Sequence, residues 1–175
     1  MLKRLPIALT FLPIVASAAA AQAPSRPPPP DFDMVAFEMK SWGEPVVSWQ
    51  FSPYGGIWTE TKREEQAQLG HYTLVVHDIE PDVSRFIELE QLLRNLPDPA
   101  PVNDQCENFM TDQPYGTIRL TRGATTTEIA WNAGCMDDGY AALLDPLKAA
   151  NELAKEWGQN GNVVRTEEVG ATDGK

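Results

Sequence analysis

The sequence predicts an α+β domain: one antiparallel sheet of about five strands, in the order β-β-β-α-β-β-α, with two helices on one face. Three observations predict it. Five short segments alternate apolar and polar residues, the period of a strand buried on one side only. Two segments repeat apolar residues at three- and four-residue spacing, the period of a helix that covers such a face. The strands come in runs rather than alternating with the helices, and a half-wet sheet is tolerated by antiparallel pairing.

In the first strand, Val46–Phe51, Val47, Trp49 and Phe51 share a face. Ser52-Pro53-Tyr54-Gly55-Gly56 is a turn by composition, and Ile57–Lys62 returns as the partner strand. A charged, Gln-rich connection leads to the third strand, His71–Asp78, which places Tyr72, Leu74 and Val76 opposite His71, Thr73, Val75 and His77. Pro81 opens the next helix. Phe86, Leu89, Leu93 and Leu96 form its stripe, widened by Val83 and Leu92, and Pro97 ends it. Asp98–Tyr115 is a long polar loop.

The second hairpin pairs Gly116–Arg122, with Ile118 and Leu120 on one side, and Thr125–Asn132, with Ile129 and Trp131 sharing a face. Asp145-Pro146 reads as the N-cap and first position of the final helix. Its stripe is Leu147, Ala150, Leu153, Ala154 and Trp157, and Gly158 is its stop. Tyr140, Leu143 and Leu144 carry the stripe backwards as a short preceding turn.

The ends read differently. Residues 1–21 have a charged start at Lys3 and Arg4, an apolar run from Leu5 to Val15 and a small-residue stretch through Ala21, the build of a cleavable secretory signal. The run is too short for a good membrane span. Residues 22–30, ending in Pro27-Pro28-Pro29-Pro30, form a proline-rich spacer. A single domain then occupies 31–158, and 159–175 is expected as a flexible tail, where Val163 and Val164 are the sole hint of an edge strand.

Export places the chain in the periplasm or outside the cell, where disulfides form. Cys106 and Cys135 are the two cysteines, with none left over. One bridge between them closes a loop of about 30 residues, worth about 3–4 kcal/mol in the chain-entropy picture.

Composition narrows the partners. The chain has 14 Lys+Arg and 25 Asp+Glu, and removing Lys3 and Arg4 with the signal leaves 12 against 25. Nucleic acid and anionic membrane surfaces need basic patches, so neither is expected. No metal is expected. His71 and His77 stand about 20 Å apart along one strand, too far to share an ion, and the acidic clusters Asp104/Glu107/Asp112 and Asp137/Asp138 lack the EF-hand spacing. No cofactor is expected, because neither a phosphate-cradling glycine loop nor a dinucleotide fingerprint occurs. His77-Asp78 is not a triad by adjacency, and no G-x-S-x-G elbow is present, so no catalytic residue is assigned.

What remains is aromatic surface. Trp49, Trp131 and Trp157 fall on expected buried faces, whereas Trp42 and Trp58 compete for an exposed place beside the glycine turn. The expected contact residues are Tyr54, Gly55, Gly56 and Trp58 of that turn, with Phe109 and Tyr115 of the long loop, facing a protein or peptide partner.

The layout resembles that of small exported bacterial proteins. FSPYGGIWTETK, then YGTIRLTRG, then a helix containing LLDPL, is also similar in pattern to emfourin-like proteins across residues 46–157. Those proteins inhibit thermolysin-like metalloproteases, so the resemblance implies a protease inhibitor. The third strand before the first helix and the cysteine pair depart from that family, and no inhibitory residue carries over. The leading expectation is a non-enzymatic binding domain, with a protease inhibitor or a small hydrolase as the alternative.

Overall fold

The structure is a computed structural model that describes residues 30–65, 68 and 70–170. The expected signal, and the spacer apart from Pro30, lie outside those residues. The chain folds as an α+β domain around one antiparallel sheet, but the sheet has seven strands rather than about five. In chain order they are β1 Met34–Ser41, β2 Glu44–Ser52, β3 Gly55–Lys62, β4 Tyr72–Ile79, β5 Tyr115–Arg122, β6 Thr125–Asn132 and β7 Asn162–Val169. Helix α1 spans Val83–Leu93 between β4 and β5, and α2 spans Ala141–Gln159 between β6 and β7. The spatial order is β6-β5-β1-β2-β3-β4-β7.

Both additional strands correct the expectation. β1 lies inside the sheet between β5 and β2, with Val35 and Phe37 buried. β7 replaces most of the expected tail and pairs with β4 as an edge strand. It is exposed along almost its whole length, which is why its composition is polar.

One face of the sheet carries the core. Cross-strand neighbours share a face, so the register Ile118↔Phe37↔Trp49↔Trp58↔His77 puts all five side chains under the helices. Trp131, Phe37, Trp49, Phe51 and Trp157 form a continuous run of ring contacts, with centroids 5.3, 5.2, 5.7 and 5.4 Å apart in turn. Trp131 reaches Phe37 across β5 because Gly116 has no side chain to obstruct its ring. The buried stripes Phe86, Leu89 and Leu93 of α1, and Leu143, Leu147, Ala150, Ala154 and Trp157 of α2, close over this face in one cluster.

Both helix starts differ from expectation. Asp82, not Pro81, opens α1: its carboxylate accepts from Ser84 N at 2.8 Å and Arg85 N at 3.1 Å. Val83 is half-exposed rather than part of the stripe, and Leu96 lies beyond the helix end. α2 begins at Ala141, directly after a short 3-10 turn over Asp138–Tyr140, so Pro146 sits inside the helix instead of at its first position. The proline withholds one hydrogen bond from the carbonyl of Ala142. Ala142 is exposed, so water reaches that carbonyl, and the buried residues Leu143 and Leu144 hold the first turn on the sheet.

Candidate functional site

The β1–β2 hairpin closes through the pair Ser41↔Glu44, leaving Trp42 and Gly43 as a two-residue turn. Both have positive φ, 54° and 83°, the type I′ geometry that normally selects Asn-Gly. A tryptophan there is a backbone outlier, costing of order 1–3 kcal/mol. It is also 72 % exposed, so packing does not offset the strain.

Tyr115 opens β5 opposite Lys40, at the same end of the sheet as this turn. The chain before it bends at Thr111–Asp112, where Asp112 has a positive φ of 65°, and pairs with residues 134–136 upstream of that bend. Phe109 bridges to Cys135, Met110 N donates to Gly134 O at 2.8 Å, and Met136 N donates to Asn108 O at 2.9 Å. Ala133 N donates to Pro114 O at 2.8 Å, which ties this small ladder to the end of the β5–β6 hairpin. The Cys106–Cys135 disulfide is formed, with Cα atoms 5.8 Å apart.

The Asp137 carboxylate clamps the ladder from the other side. It accepts from Glu107 N at 2.9 Å, Asn108 N at 3.0 Å and Asn108 Nδ2 at 2.9 Å. These donors, the two backbone amides first, hold its pKa below the usual aspartate range. Tyr140 adds a third restraint: its hydroxyl accepts from Asn132 N at 2.9 Å and donates to Asn103 Oδ1. Burial raises its pKa, so it stays protonated and able to donate. The result is a restrained loop that presents Phe109, Met110 and Met136 to solvent at the end of the sheet that also carries Tyr115 and the Trp42 turn.

The structure therefore separates the expected contact residues. Phe109 and Tyr115 lie at this end. Tyr54 is 87 % exposed, but it sits in the β2–β3 turn at the opposite end. Gly55 has a positive φ of 104°, as a tight turn requires, whereas Gly56 is already paired in β3 opposite Phe51. Trp58 corrects the expectation outright: it is 2 % exposed, paired with Trp49 and covered by Gly158 of α2. Met110 belongs to the long loop expected to make contact, Trp42 stood only as the rival of Trp58 for the exposed place, and Met136 was not among the expected contacts. The available signal was Trp-Gly in the position of an Asn-Gly turn between two alternating segments.

The histidines lie in and just before β4, and the cysteine–aspartate group lies at the ladder. His71 precedes β4 rather than belonging to it. His77 is buried edge-on against Trp58, 5.0 Å between centroids, with Nε2 3.5 Å from Glu60, and no serine or thiol is bonded to it among the described residues. Cys106 Sγ, Cys135 Sγ and an Asp137 oxygen lie within 4.8 Å of one another, but the sulfurs are bonded together and the carboxylate already accepts three hydrogen bonds.

Among the described residues, Glu90 is the one acidic side chain wholly inside the core. Its Oε1 accepts from Phe32 N at 2.6 Å, and its Oε2 has no partner among the described residues. Burial raises its pKa, and the nearby Asp31 charge adds to this against the pull of Phe32 N–H and Arg94. A carboxyl with a raised folded-state pKa contributes stability at low pH that is lost as pH rises through that value. Glu90→Gln should therefore gain on the parent protein as pH rises. Thermal midpoints at about pH 4 and about pH 7 check this: the variant's relative midpoint should be higher at the upper pH, and a pH-independent difference would contradict the assignment.

No protein family matches the chain by sequence, and neither a curated protein nor a solved structure is similar enough to assign it a function.

Proposed function

We propose that the protein is an exported, non-enzymatic binding domain that captures a protein or peptide partner through the rim formed by Trp42, Phe109, Met110, Tyr115 and Met136. The observation that carries this reading is Trp42. A bulky residue in a strained, exposed turn contributes nothing to folding that asparagine or glycine would not do better. Strain of this kind is retained where a site uses it. Aromatic and methionine side chains are the residues enriched where proteins meet, and a restrained loop loses little entropy on binding. The signal-like composition of residues 1–21 supports export to the periplasm or beyond it, and the acidic charge weighs against nucleic acid and anionic membranes. Among the described residues no helix is long and apolar enough to cross a membrane.

Trp42→Asn separates binding from folding. The variant should be more stable by about 1 kcal/mol, a rise of a few degrees in thermal midpoint. It should also capture partner from periplasmic extract at least about tenfold less well, as for loss of a central aromatic anchor. Unchanged capture would overturn the proposal. The resemblance to emfourin-like proteins makes a thermolysin-like protease the first partner to assay, and inhibition lost in Trp42→Asn would narrow the reading to an inhibitor.

A further inference from the structure

We propose that the outer edge of β6 is a second binding site, which takes an extended peptide of alternating apolar and basic residues as an eighth strand. This site lies on a different element from the rim and stands whether or not the rim binds.

β6 is one of the two sheet edges. Its hairpin turns on Gly123, with φ 57°, while Ala124 keeps a negative φ, the type II′ form. In that form Arg122 and Thr125 are the hydrogen-bonded closing pair, and the bonding alternates from there. The main chains of Thr125, Thr127, Ile129 and Trp131 are thus directed to β5. Those of Thr126, Glu128, Ala130 and Asn132 are directed outward. Asn132 bears this out, because its N–H leaves the sheet for the Tyr140 hydroxyl. The other three outward positions are exposed, with no hydrogen-bonded main-chain partner on that side among the described residues.

Natural sheets blunt such edges, and the opposite edge is blunted. β7 carries Arg165, Glu167 and Glu168 and is interrupted where the β4 register shifts between Val76 and His77. β6 has neither proline nor bulge nor lysine, and its one charge, Glu128, is already held by Arg119 Nε at 2.5 Å.

A cleft of about 790 Å³ lies between β6 and residues 96–100. Leu93, Leu96, Pro97, Pro99, Leu120 and Ile129 supply its apolar wall. Thr125 and Thr127 line it on the side where alternate residues of an added strand would point, and their small side chains leave room. Arg94 and Arg122 are engaged by Asp31, the first through its carboxylate at 2.6 Å and the second through its carbonyl at 2.7 Å. Asp98 also borders the cleft, with no ion-pair partner among the described residues, and the whole chain has a net charge of −11. Basic residues in the peptide suit this field, whereas a second copy of the chain is repelled by it. Main-chain bonds would supply affinity and the cleft would supply side-chain selection.

The probe is an octapeptide alternating valine and lysine, added to the full chain. Amide exchange at Thr126, Glu128 and Ala130 should slow by at least about tenfold with the probe bound. Thr126→Pro removes an outward N–H and should weaken binding at least about tenfold while the thermal midpoint holds, since an edge tolerates proline there. Should that variant fold poorly, a probe N-methylated on the edge-facing amides tests the same bonds and should not bind. A glutamate-for-lysine probe should bind far more weakly. Unslowed exchange, equal binding of the methylated probe, equal binding of the glutamate probe, or a dimer formed through β6 in place of peptide binding would each overturn the proposal.

Discussion

Replacing Trp58 with alanine is expected to lower the unfolding free energy by about 3–5 kcal/mol, a large part of the roughly 5–15 kcal/mol available to a domain of this kind. Trp58 stands at the point where sheet and helix meet most closely. It pairs with Trp49 on β2 and His77 on β4, and Gly158 of α2 rests on its ring. A β-carbon built on Gly158 would overlap Trp58 Cβ, Cγ and Cδ2. Truncating the indole leaves a cavity beneath the longer helix, and the helix cannot collapse into it without pulling Trp157 from Phe51.

The same geometry makes a sharper test. Gly158→Ala should cost about 1–3 kcal/mol in the parent protein, because the methyl and the ring compete for one space. In the Trp58→Ala background that cost should shrink or reverse. A double-mutant cycle from urea midpoints reads the coupling directly. Additive effects would mean that α2 does not sit on Trp58. An unchanged midpoint for Trp58→Ala would place that side chain outside the core.

The burial of Trp58 depends on a strand register that turn composition hides. Taking Ser52–Gly56 as one five-residue turn loses the pairs Ser52↔Gly55 and Phe51↔Gly56. Without that register nothing ties Trp58 to Trp49, and a one-residue error moves a side chain to the opposite face. The strands β2, β3, β4, β5 and β6 were legible, as were both helical stripes and the cysteine pair. β1 alternates as well, with Val35, Phe37 and Met39 on one side, but its turn carries tryptophan where a hairpin signal has asparagine. β7 could not be read by period. Both its faces are wet, and the extra residue at Val164 breaks the alternation. The start of α2 was hidden by Pro146, which tertiary packing tolerates inside the helix. At the rim, Phe109 and Tyr115 were legible as residues of a long loop. Their neighbour Trp42 was not, because its meaning lies in a backbone angle.

Removing the bridge with Cys106→Ser/Cys135→Ser is expected to cost about 3–4 kcal/mol, the chain-entropy value for the 29-residue separation. The bridge joins two segments that are otherwise held only by a short ladder and the Asp137 clamp. Residues 106–110 make one isolated bridge and two flanking hydrogen bonds to 134–136, and Cys135 itself belongs to the core at 5 % exposure. The Asp137 clamp survives the substitution, so the loop should loosen rather than detach. Amide exchange at Met110 and Met136, whose N–H groups donate within the ladder, should accelerate more than exchange in β1 or β2. Chemical reduction of the parent protein should reproduce both the stability loss and the exchange pattern. If both thiols of the exported protein label freely without a reductant, the bridge is absent. If the midpoint holds while the bridge is removed, the clamp and ladder alone fix the loop, and the rim does not depend on an oxidising compartment.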